Sequence, residues 1–302
     1  MVPRTICGLQ SPAVPELPDL AILADALHAG LAGRPLEQAV VHEPLVVRGT
    51  PAEIRALAGQ RLHSVTRRGK FLTFALERDR LVVNAMLSGR LGLAGPDIKP
   101  WPKAAAALSF APRTAEAAPA AAWLAEADWL PPSGSPIELR YRDATRMGKL
   151  YVLPAGIERS VAGFQEQGPD ADDPALTLDE WRRRIGRHSG ELKNLLRNQA
   201  FVAGIGNAYS DEILWTARLA PYRTRASLTA EEVDALYEAT GEVMAWAIAA
   251  LRQLVPPRLE VEQRGFLSVH AKGGQPCPRC GTPISSVKAG GSETNFCRSC
   301  QR

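Results

Sequence analysis

Residues 277–300 read CPRCGTPISSVKAGGSETNFCRSC, in which two Cys-x-x-Cys pairs are separated by 16 residues. Each pair lets two thiolates grip one ion from a tight turn, and two pairs complete a tetrahedral Zn²⁺ site. A closed shell of four thiolates has no open position for a substrate, so we expect one structural zinc. Four free structural thiols are the alternative, for which this spacing is unusual. The predicted ligands are Cys277, Cys280, Cys297 and Cys300.

The segment around these cysteines is basic. Residues 262–302 contain six Lys or Arg residues and two acidic residues. The whole chain of 302 residues contains 36 Lys and Arg and 32 Asp and Glu, a formal net charge of +4, so the segment carries as much net charge as the chain. A zinc-stapled β-hairpin with that charge is suited to contact DNA. The mild overall charge excludes a protein that coats polyanions by bulk charge alone.

The composition is that of a folded globular protein. Hydrophobic residues make up 45% of the chain and charged residues 23%, which excludes a disordered or fibrous protein. The longest apolar run, 243–251, is shorter than the roughly 18 residues that a membrane span needs. The first ten residues, MVPRTICGLQ, lack the apolar core of a signal peptide. We therefore expect a cytoplasmic protein without a membrane segment and with roughly two domains.

The N-terminal half alternates short apolar runs with turns, which predicts a β-sandwich or barrel. The predicted strands are 36–42, 61–76 with a break at Gly69, 81–87, 106–110, 137–142 and 149–153. Ahead of them, the spacing of Leu20, Leu23 and Leu27 predicts a helix over Pro18–Ala29. The Ala/Pro-rich stretch 111–136 predicts a surface insertion with one short helix.

After Gly156 the pattern is helical. Thr177 with Glu180, and Thr229 with Glu232, are spaced as capping boxes that begin helices. The predicted helices are 178–187, 190–198, 208–218 and 230–254.

A glycine-rich turn, Gly204-Ile205-Gly206-Asn207, opens the third of these helices. It fails as a dinucleotide fingerprint, because a third glycine and a preceding strand are absent. A helix N-terminus after glycines presents free N–H groups to a phosphate, and Asn207 adds an amide donor. A simple turn between two helices is the alternative, and the turn alone does not decide between them.

Four motifs in a fixed order carry a resemblance to a known family. They are Pro15-Glu16-Leu17-Pro18-Asp19, Arg68-Gly69-Lys70, the run GIGNAYSDEIL at 204–214, and the cysteine pairs ending in Cys300-Gln301. Together they resemble the formamidopyrimidine-DNA glycosylase/endonuclease VIII family of base-excision repair enzymes. The resemblance covers 262 residues, leaving out the first 14 and the insertion. It implies an α+β fold with an N-terminal β-sandwich (15–155), a helix-two-turn-helix domain (156–261) and a zinc finger (262–302), with DNA in the cleft between the halves.

The resemblance also implies a bifunctional DNA glycosylase and AP lyase. In the family, the secondary amine of the N-terminal proline attacks C1′ of the damaged nucleotide, expels the base and forms an iminium that permits β- and δ-elimination. A proline amine is free near neutral pH and suits both steps, first as a nucleophile and then as an electron sink. The implied partner is double-stranded DNA with an oxidised base or an abasic site, bound by a monomer. Three residues match the catalytic positions: Pro15 as nucleophile, Glu16 as acid and Lys70 as the hairpin lysine beside the active site.

The resemblance assigns DNA contacts to Asn207, Lys193, Leu87, Arg146, Met147 and Ser292. Without it, Lys70 and Lys193 would each be interpreted as solvated surface lysines. Ser292 replaces an arginine that grips the phosphate beside the lesion, so it offers one uncharged hydrogen bond instead. Leu87 and Met147 replace a methionine and a phenylalanine but keep an apolar wedge. Thr145 replaces an arginine that reads the orphaned base, so we expect weak opposite-base selectivity.

Between 255 and 267 the chain is short where purine-specific relatives carry a lesion-capping loop. This favours oxidised pyrimidines or abasic sites over 8-oxoguanine.

Pro15 is preceded by fourteen residues, and a proline nitrogen within a chain is a tertiary amide without a basic lone pair. Because a valine codon can start bacterial translation, we expect residues 1–14 to be an incorrectly assigned leader and Pro15 to begin the mature chain. A genuine leader on an inactive relative is the alternative.

The alternative function is that of a non-catalytic protein that binds damaged or branched DNA. An RNA-binding zinc ribbon does not explain the Pro-Glu-Leu-Pro helix start.

Overall fold

The computed structural model describes residues 14–95, 97–116, 120–289 and 292–302. Apart from Val14, the predicted leader lies outside these residues. The first element is helix α1 (Leu17–Leu31), close to the predicted helix. Glu16 and Asp19 form a capping box at its start, and Pro18 lies in its first turn. Leu20, Leu23 and Leu27 are buried, as their helical spacing predicts.

Two sheets follow and pack as the predicted β-sandwich. The strands are β1 (Leu36–Val41), β2 (Val47–Arg48), β3 (Leu62–Arg68), β4 (Phe71–Leu76), β5 (Arg80–Asn84), β6 (Gly89–Ala94), β7 (Ala104–Phe110), β8 (Ile137–Asp143) and β9 (Lys149–Leu153). One sheet has the order β1-β7-β8-β6 and the other β2-β9-β5-β4-β3. A short helix, α2 (Pro51–Arg55), separates β2 from β3. All pairings are antiparallel except β2 with β9, and α1 packs against β3 and β6.

Strand β6 is absent from the prediction, and the predicted strand 81–87 ends at Asn84. Two glycines lower the strand propensity of β6, but Gly92 has a packing reason. A Cβ there would lie 2.7 Å from Cη2 of Trp101, so only glycine lets the indole cover the strand. Among its described residues, the insertion holds one 3-10 turn, Ala122–Leu124, where Trp123 donates to Asp25 of α1 at 2.7 Å.

The helical domain contains α3 (Leu178–Ile185), α4 (Leu192–Arg197), α5 (Asn207–Thr216) and α6 (Ala230–Leu254), near the predicted bounds. Thr229 and Glu232 form the predicted capping box, and Thr177 accepts the N–H of Glu180 at 3.3 Å. The finger ends the chain with β10 (Ser285–Ala289) antiparallel to β11 (Ser292–Phe296). Within the described residues, no helix is long and apolar enough to cross a membrane.

Candidate active site

A cleft of about 1010 Å³ opens between the sandwich, the helical domain and the finger. Five of the predicted site residues line it: Glu16, Lys70, Leu87, Asn207 and Ser292. Val14 lines it as well, and Pro15, which is buried, follows Val14 directly. The structure therefore gathers residues that are up to 276 positions apart along the chain into one site.

Glu16 is fixed by the glycine-rich turn. Its carboxylate accepts the N–H groups of Gly206 at 2.5 Å, Ala208 at 2.8 Å and Tyr209 at 3.3 Å. The side chain is buried, and the next residue, Leu17, donates its N–H to the Gly204 carbonyl at 3.0 Å. These three N–H groups at the start of α5 are thus not free for a phosphate, which counts against the phosphate alternative that the sequence left open for the turn. A carboxylate of the chain itself is the anion at this helix N-terminus.

Gly204 and Gly206 are required because other side chains lie too close to their backbone to leave room for a Cβ. A Cβ on Gly206 would lie 2.5 Å from Cδ of Glu16 and 2.6 Å from Nζ of Lys70. Gly204 has a φ of +97°, which strains any residue with a side chain. Glu16 and the Lys70 ammonium therefore both lie against the backbone of Gly206.

Lys70 extends from the turn between β3 and β4. Gly69, with a φ of +54°, donates its N–H to Asp170 at 2.7 Å, and Arg67 forms ion pairs with Asp170 and Asp172. These contacts tie the turn to the segment that precedes the helical domain. Burial lowers the pKa of Lys70, and the nearby Glu16 carboxylate partly opposes that shift. Lys70 therefore loses its proton more easily than an ordinary lysine.

Asn207 begins α5 and joins it to the finger. Its Nδ2 donates to the Glu293 carbonyl at 2.9 Å, whereas its buried Oδ1 has no partner among the described residues. The amide group therefore lies between the helix and strand β11, beside the cleft.

Lys193 does not line the cleft, although its predicted DNA contact requires a position on the cleft surface. Its side chain is 5% exposed and pairs with Asp211 at 2.6 Å. Its Nζ also donates to the Glu293 carbonyl at 3.0 Å. Burial lowers the pKa of Lys193, and Asp211 opposes that shift. This geometry makes Lys193 a link between α4, α5 and the finger.

Sequence reasoning missed the two acids that attach the finger. The Glu212 carboxylate accepts the N–H groups of Ser268, Val269 and His270, all at 2.8–2.9 Å. Asp211 contacts Nδ1 of His270 at 2.8 Å in addition to Lys193. In the sequence, these residues are visible only as an adjacent Asp-Glu pair in a predicted helix. Helical periodicity alone would place such a pair on a solvent-exposed face.

The predicted wedge lies on the sandwich side. Leu87 is half-buried, and Met147 is 46% exposed. Arg146, with a φ of +58°, forms an ion pair with Glu43 at 2.8 Å. The loops that carry Leu87 and Met147 are neighbours, because the N–H of Thr145 donates to Oγ of Ser88 at 2.9 Å.

Ser292 begins β11 on the opposite side of the cleft. Its Oγ accepts a hydrogen bond from Nη2 of Arg197 at 3.1 Å. Arg197, a further cleft residue, was not among the predicted site residues.

The four cysteines fit a structural zinc. Their Sγ atoms lie within 4.8 Å of one another, with Cys277 and Cys300 at 3.9 Å and Cys280 and Cys297 at 3.5 Å. A tetrahedral Zn²⁺ with bonds of about 2.3 Å requires sulfurs about 3.8 Å apart. Trp215 donates its indole N–H to Sγ of Cys277 at 3.4 Å, which suits a thiolate.

Three family models match consecutive parts of the chain. They are the formamidopyrimidine-DNA glycosylase N-terminal domain at residues 14–150, the formamidopyrimidine-DNA glycosylase H2TH domain at 167–255, and the zinc finger found in FPG and IleRS at 274–302. With the cleft and the four-thiolate finger, this order of domains defines a zinc-finger DNA glycosylase.

Comparison with individual proteins gives the same result. The formamidopyrimidine-DNA glycosylase of Thermus thermophilus is 33% identical over 297 residues, which are 95% of this chain and 98% of that protein. The crystal structure of the Thermus thermophilus MutM (Fpg) protein superposes with a TM-score of 0.76, at 32% identity over 95% of this chain and 98% of that one. Lactococcus lactis Fpg, in complex with DNA containing an abasic site, shares the fold with a TM-score of 0.78 at 22% identity, over 95% and 99% of the two chains. The chain belongs to the formamidopyrimidine-DNA glycosylase family.

Proposed function

We propose that this protein is a base-excision-repair DNA glycosylase with AP-lyase activity, acting on double-stranded DNA that contains an oxidised base or an abasic site. The single observation that carries the proposal is the position of Glu16 in the cleft, directly after the buried Pro15, with Lys70 against the same glycine turn. Members of the family are DNA glycosylases and AP lyases, and structures of relatives hold damaged or abasic DNA.

In the proposed mechanism, the Pro15 nitrogen forms a bond to C1′ as the bond from C1′ to the base breaks. Loss of the sugar ring oxygen from C1′, with a proton delivered to that oxygen, gives an iminium. The iminium draws electrons from the C2′–H bond, and loss of that proton expels the 3′ phosphate. Loss of a second proton, from C4′, then expels the 5′ phosphate. Water finally hydrolyses the iminium and frees Pro15.

Glu16 and Lys70 are proposed to have different roles, proton transfer for Glu16 and phosphate binding for Lys70. Three backbone donors hold the Glu16 carboxylate in one place beside the proposed nucleophile. The Lys70 ammonium lies against the same turn and lines the cleft, where it can contact a phosphate. We assign Glu16 the transfer to the sugar or base, and Lys70 a contact with phosphate during elimination.

A free Pro15 amine is required for this chemistry. We propose that residues 1–14 are absent from the active mature chain, which the start of the family match at residue 14 supports. The intact mass of protein purified from its natural host tests this. A mature chain that retains residues 1–14 would contradict the mechanism.

Borohydride trapping tests the activity itself. Reduction of the iminium should link protein that begins at Pro15 to an oligonucleotide with an abasic site, and peptide mapping should place the link on Pro15. Absence of a link, with DNA binding retained, would favour the non-catalytic DNA-binding alternative.

The preferred lesion and the working state are further proposals. The short segment 255–267 supports oxidised pyrimidines and abasic sites as substrates, and a panel of lesion-bearing duplexes tests this.

We also propose the domain limits 15–155, 156–261 and 262–302, and a protein that acts as a monomer in the cytoplasm on nucleoid DNA. The presence of every proposed site residue on one chain supports the monomer, which sedimentation with DNA tests.

A further inference from the structure

The basic side chains of the cleft differ in how they are paired. Arg264 is buried and forms ion pairs with Asp19 at 2.6 Å and Glu262 at 3.1 Å. Arg197 lines the same cleft, and in the part of the chain that the structure describes it forms no ion pair. Its hydrogen-bond partner there is the neutral hydroxyl of Ser292, at 3.1 Å. Arg197 therefore presents to the cleft a guanidinium that no described carboxylate pairs with, and most of its five N–H donors.

Arg197 is held where that charge faces the finger. It is the last residue of α4, and the preceding Leu195 and Leu196 are buried in the helical core. Its half-buried guanidinium reaches across to the first residue of β11. Ser292 fixes one edge of the guanidinium without neutralising it.

The charge of Arg197 acts on the centre of the site. Burial is the main cause that lowers the pKa of both Lys70 and Lys193, and the charge of Arg197 adds a smaller effect in the same direction. Lys70, Arg197 and the Asn207 amide thus surround one part of the cleft with positive charge and N–H donors. Such a region attracts an anion.

We propose that Arg197 binds a backbone phosphate of the DNA strand in the cleft, with Ser292 orienting its guanidinium. The proposal rests on DNA being the partner, as inferred above. A guanidinium offers a planar pair of N–H groups that matches two oxygens of a phosphate, so it supplies from α4 the charge that Ser292 lacks. Arg197 is a binding residue and takes no part in proton transfer.

Salt-dependent DNA binding by the full-length chain tests the proposal. The probe is a duplex with a tetrahydrofuran abasic analogue, which cannot form an iminium. Arg197→Ala should bind roughly ten-fold more weakly. The slope of log affinity against log salt should fall in magnitude by about 1. Arg183→Ala is the matched control, because Arg183 is exposed on α3 and pairs with Glu180 outside the cleft.

Two further variants separate a phosphate contact from a structural bridge. Arg197→Lys should retain the wild-type slope, because the charge remains. Ser292→Arg combined with Arg197→Ala should restore the slope, because it returns a guanidinium from the other side of the cleft. An Arg197→Ala slope equal to wild type, or an Arg197→Lys slope as low as that of Arg197→Ala, would overturn the proposal. Failure of borohydride trapping, with these slopes as expected, would reject the lyase activity and leave the phosphate contact standing.

Discussion

The floor and the wall of the cleft are built in opposite ways. The floor, defined as Glu16, Gly206 and Lys70, is packed so closely that one added Cβ would overlap two side chains. The wall, defined as Arg197, Ser292 and Lys288, is half-buried or exposed, and a single hydrogen bond joins its first two residues. Bond-making chemistry needs atoms fixed in position, whereas holding a phosphate needs only a cation within reach. We therefore expect the wall, but not the floor, to tolerate a change of residue, such as Ser292 where the family resemblance leads one to expect an arginine.

Removal of zinc should have the largest effect, because it should unfold the part of the wall that the finger supplies, Ser292 and Lys288, and leave the floor intact. Structural zinc contributes about 10 kcal/mol or more to the folding of small domains. Chelation should therefore unfold the finger and abolish DNA binding, while the sandwich remains folded. Limited proteolysis and binding to the abasic-analogue duplex measure the two effects, with chelator pre-saturated with Zn²⁺ as the control. Unchanged binding after verified zinc loss would show that the finger does not form the wall.

Glu16→Gln changes the floor and leaves the wall intact. The substitution removes the proposed acid and places an NH₂ group against the backbone donor of either Gly206 or Ala208, which donate to different carboxylate oxygens. The single-turnover rate on an abasic duplex should fall by roughly 10²- to 10⁴-fold, while affinity changes little. Glu293→Gln is the matched control, because that carboxylate lines the same cleft but contacts Ser286. Equal losses in both variants would deny Glu16 a special role.

Lys193→Met tests whether this lysine belongs to the wall or to the structure beneath it. The substitution leaves the buried Asp211 carboxylate without its cation, so the free energy of unfolding should fall by about 3 kcal/mol. Denaturant unfolding measures this, and Arg182→Ala, which breaks the exposed pair with Asp234, should have little effect. The salt slope of DNA binding by the folded variant should equal that of wild type. A slope reduced by about 1 would instead restore the predicted phosphate contact.

The sequence predicts the local structure well and the long-range contacts poorly. The zinc ligands and α6 depend on spacing within short stretches, so counting residues suffices for them. The contact between Glu16 and Gly206 joins residues 190 positions apart, and no periodicity encodes it. The family resemblance placed Glu16 in the site, but not as the anion that occupies the start of α5. Arg197 was missed for the same reason, because its importance depends on a hairpin that lies 95 residues further along the chain.

The pH dependence of cleavage sharpens the role of Lys70 on the floor. A lysine is cationic below its pKa, and burial lowers the pKa of Lys70, so its charge is lost at a lower pH than that of an exposed lysine. Cleavage should therefore decline on the alkaline side before ordinary lysines titrate. Lys70→Arg should move this decline to higher pH, because arginine stays charged. Single-turnover rates across the alkaline range measure the shift. Lys288→Arg, on the exposed wall, should leave the profile unchanged.

The smallest expected effect concerns the two loops that carry Leu87 and Met147, opposite the wall. Substitutions there distinguish apolar contacts with DNA from charged ones. Met147 is 46% exposed in the free protein, so Met147→Ala should leave stability nearly unchanged. A side chain inserted at an unstacked base step buries apolar surface only in the complex. Affinity for the abasic-analogue duplex should therefore drop by roughly ten-fold or less, at an unaltered salt slope, because no phosphate contact is lost. Leu87→Ala should have the same effect as Met147→Ala. Both variants should keep the wild-type salt slope, whereas Arg197→Ala should not. A salt slope that changed in Met147→Ala would mean that the loops and the wall bind DNA as one coupled unit rather than as two independent surfaces.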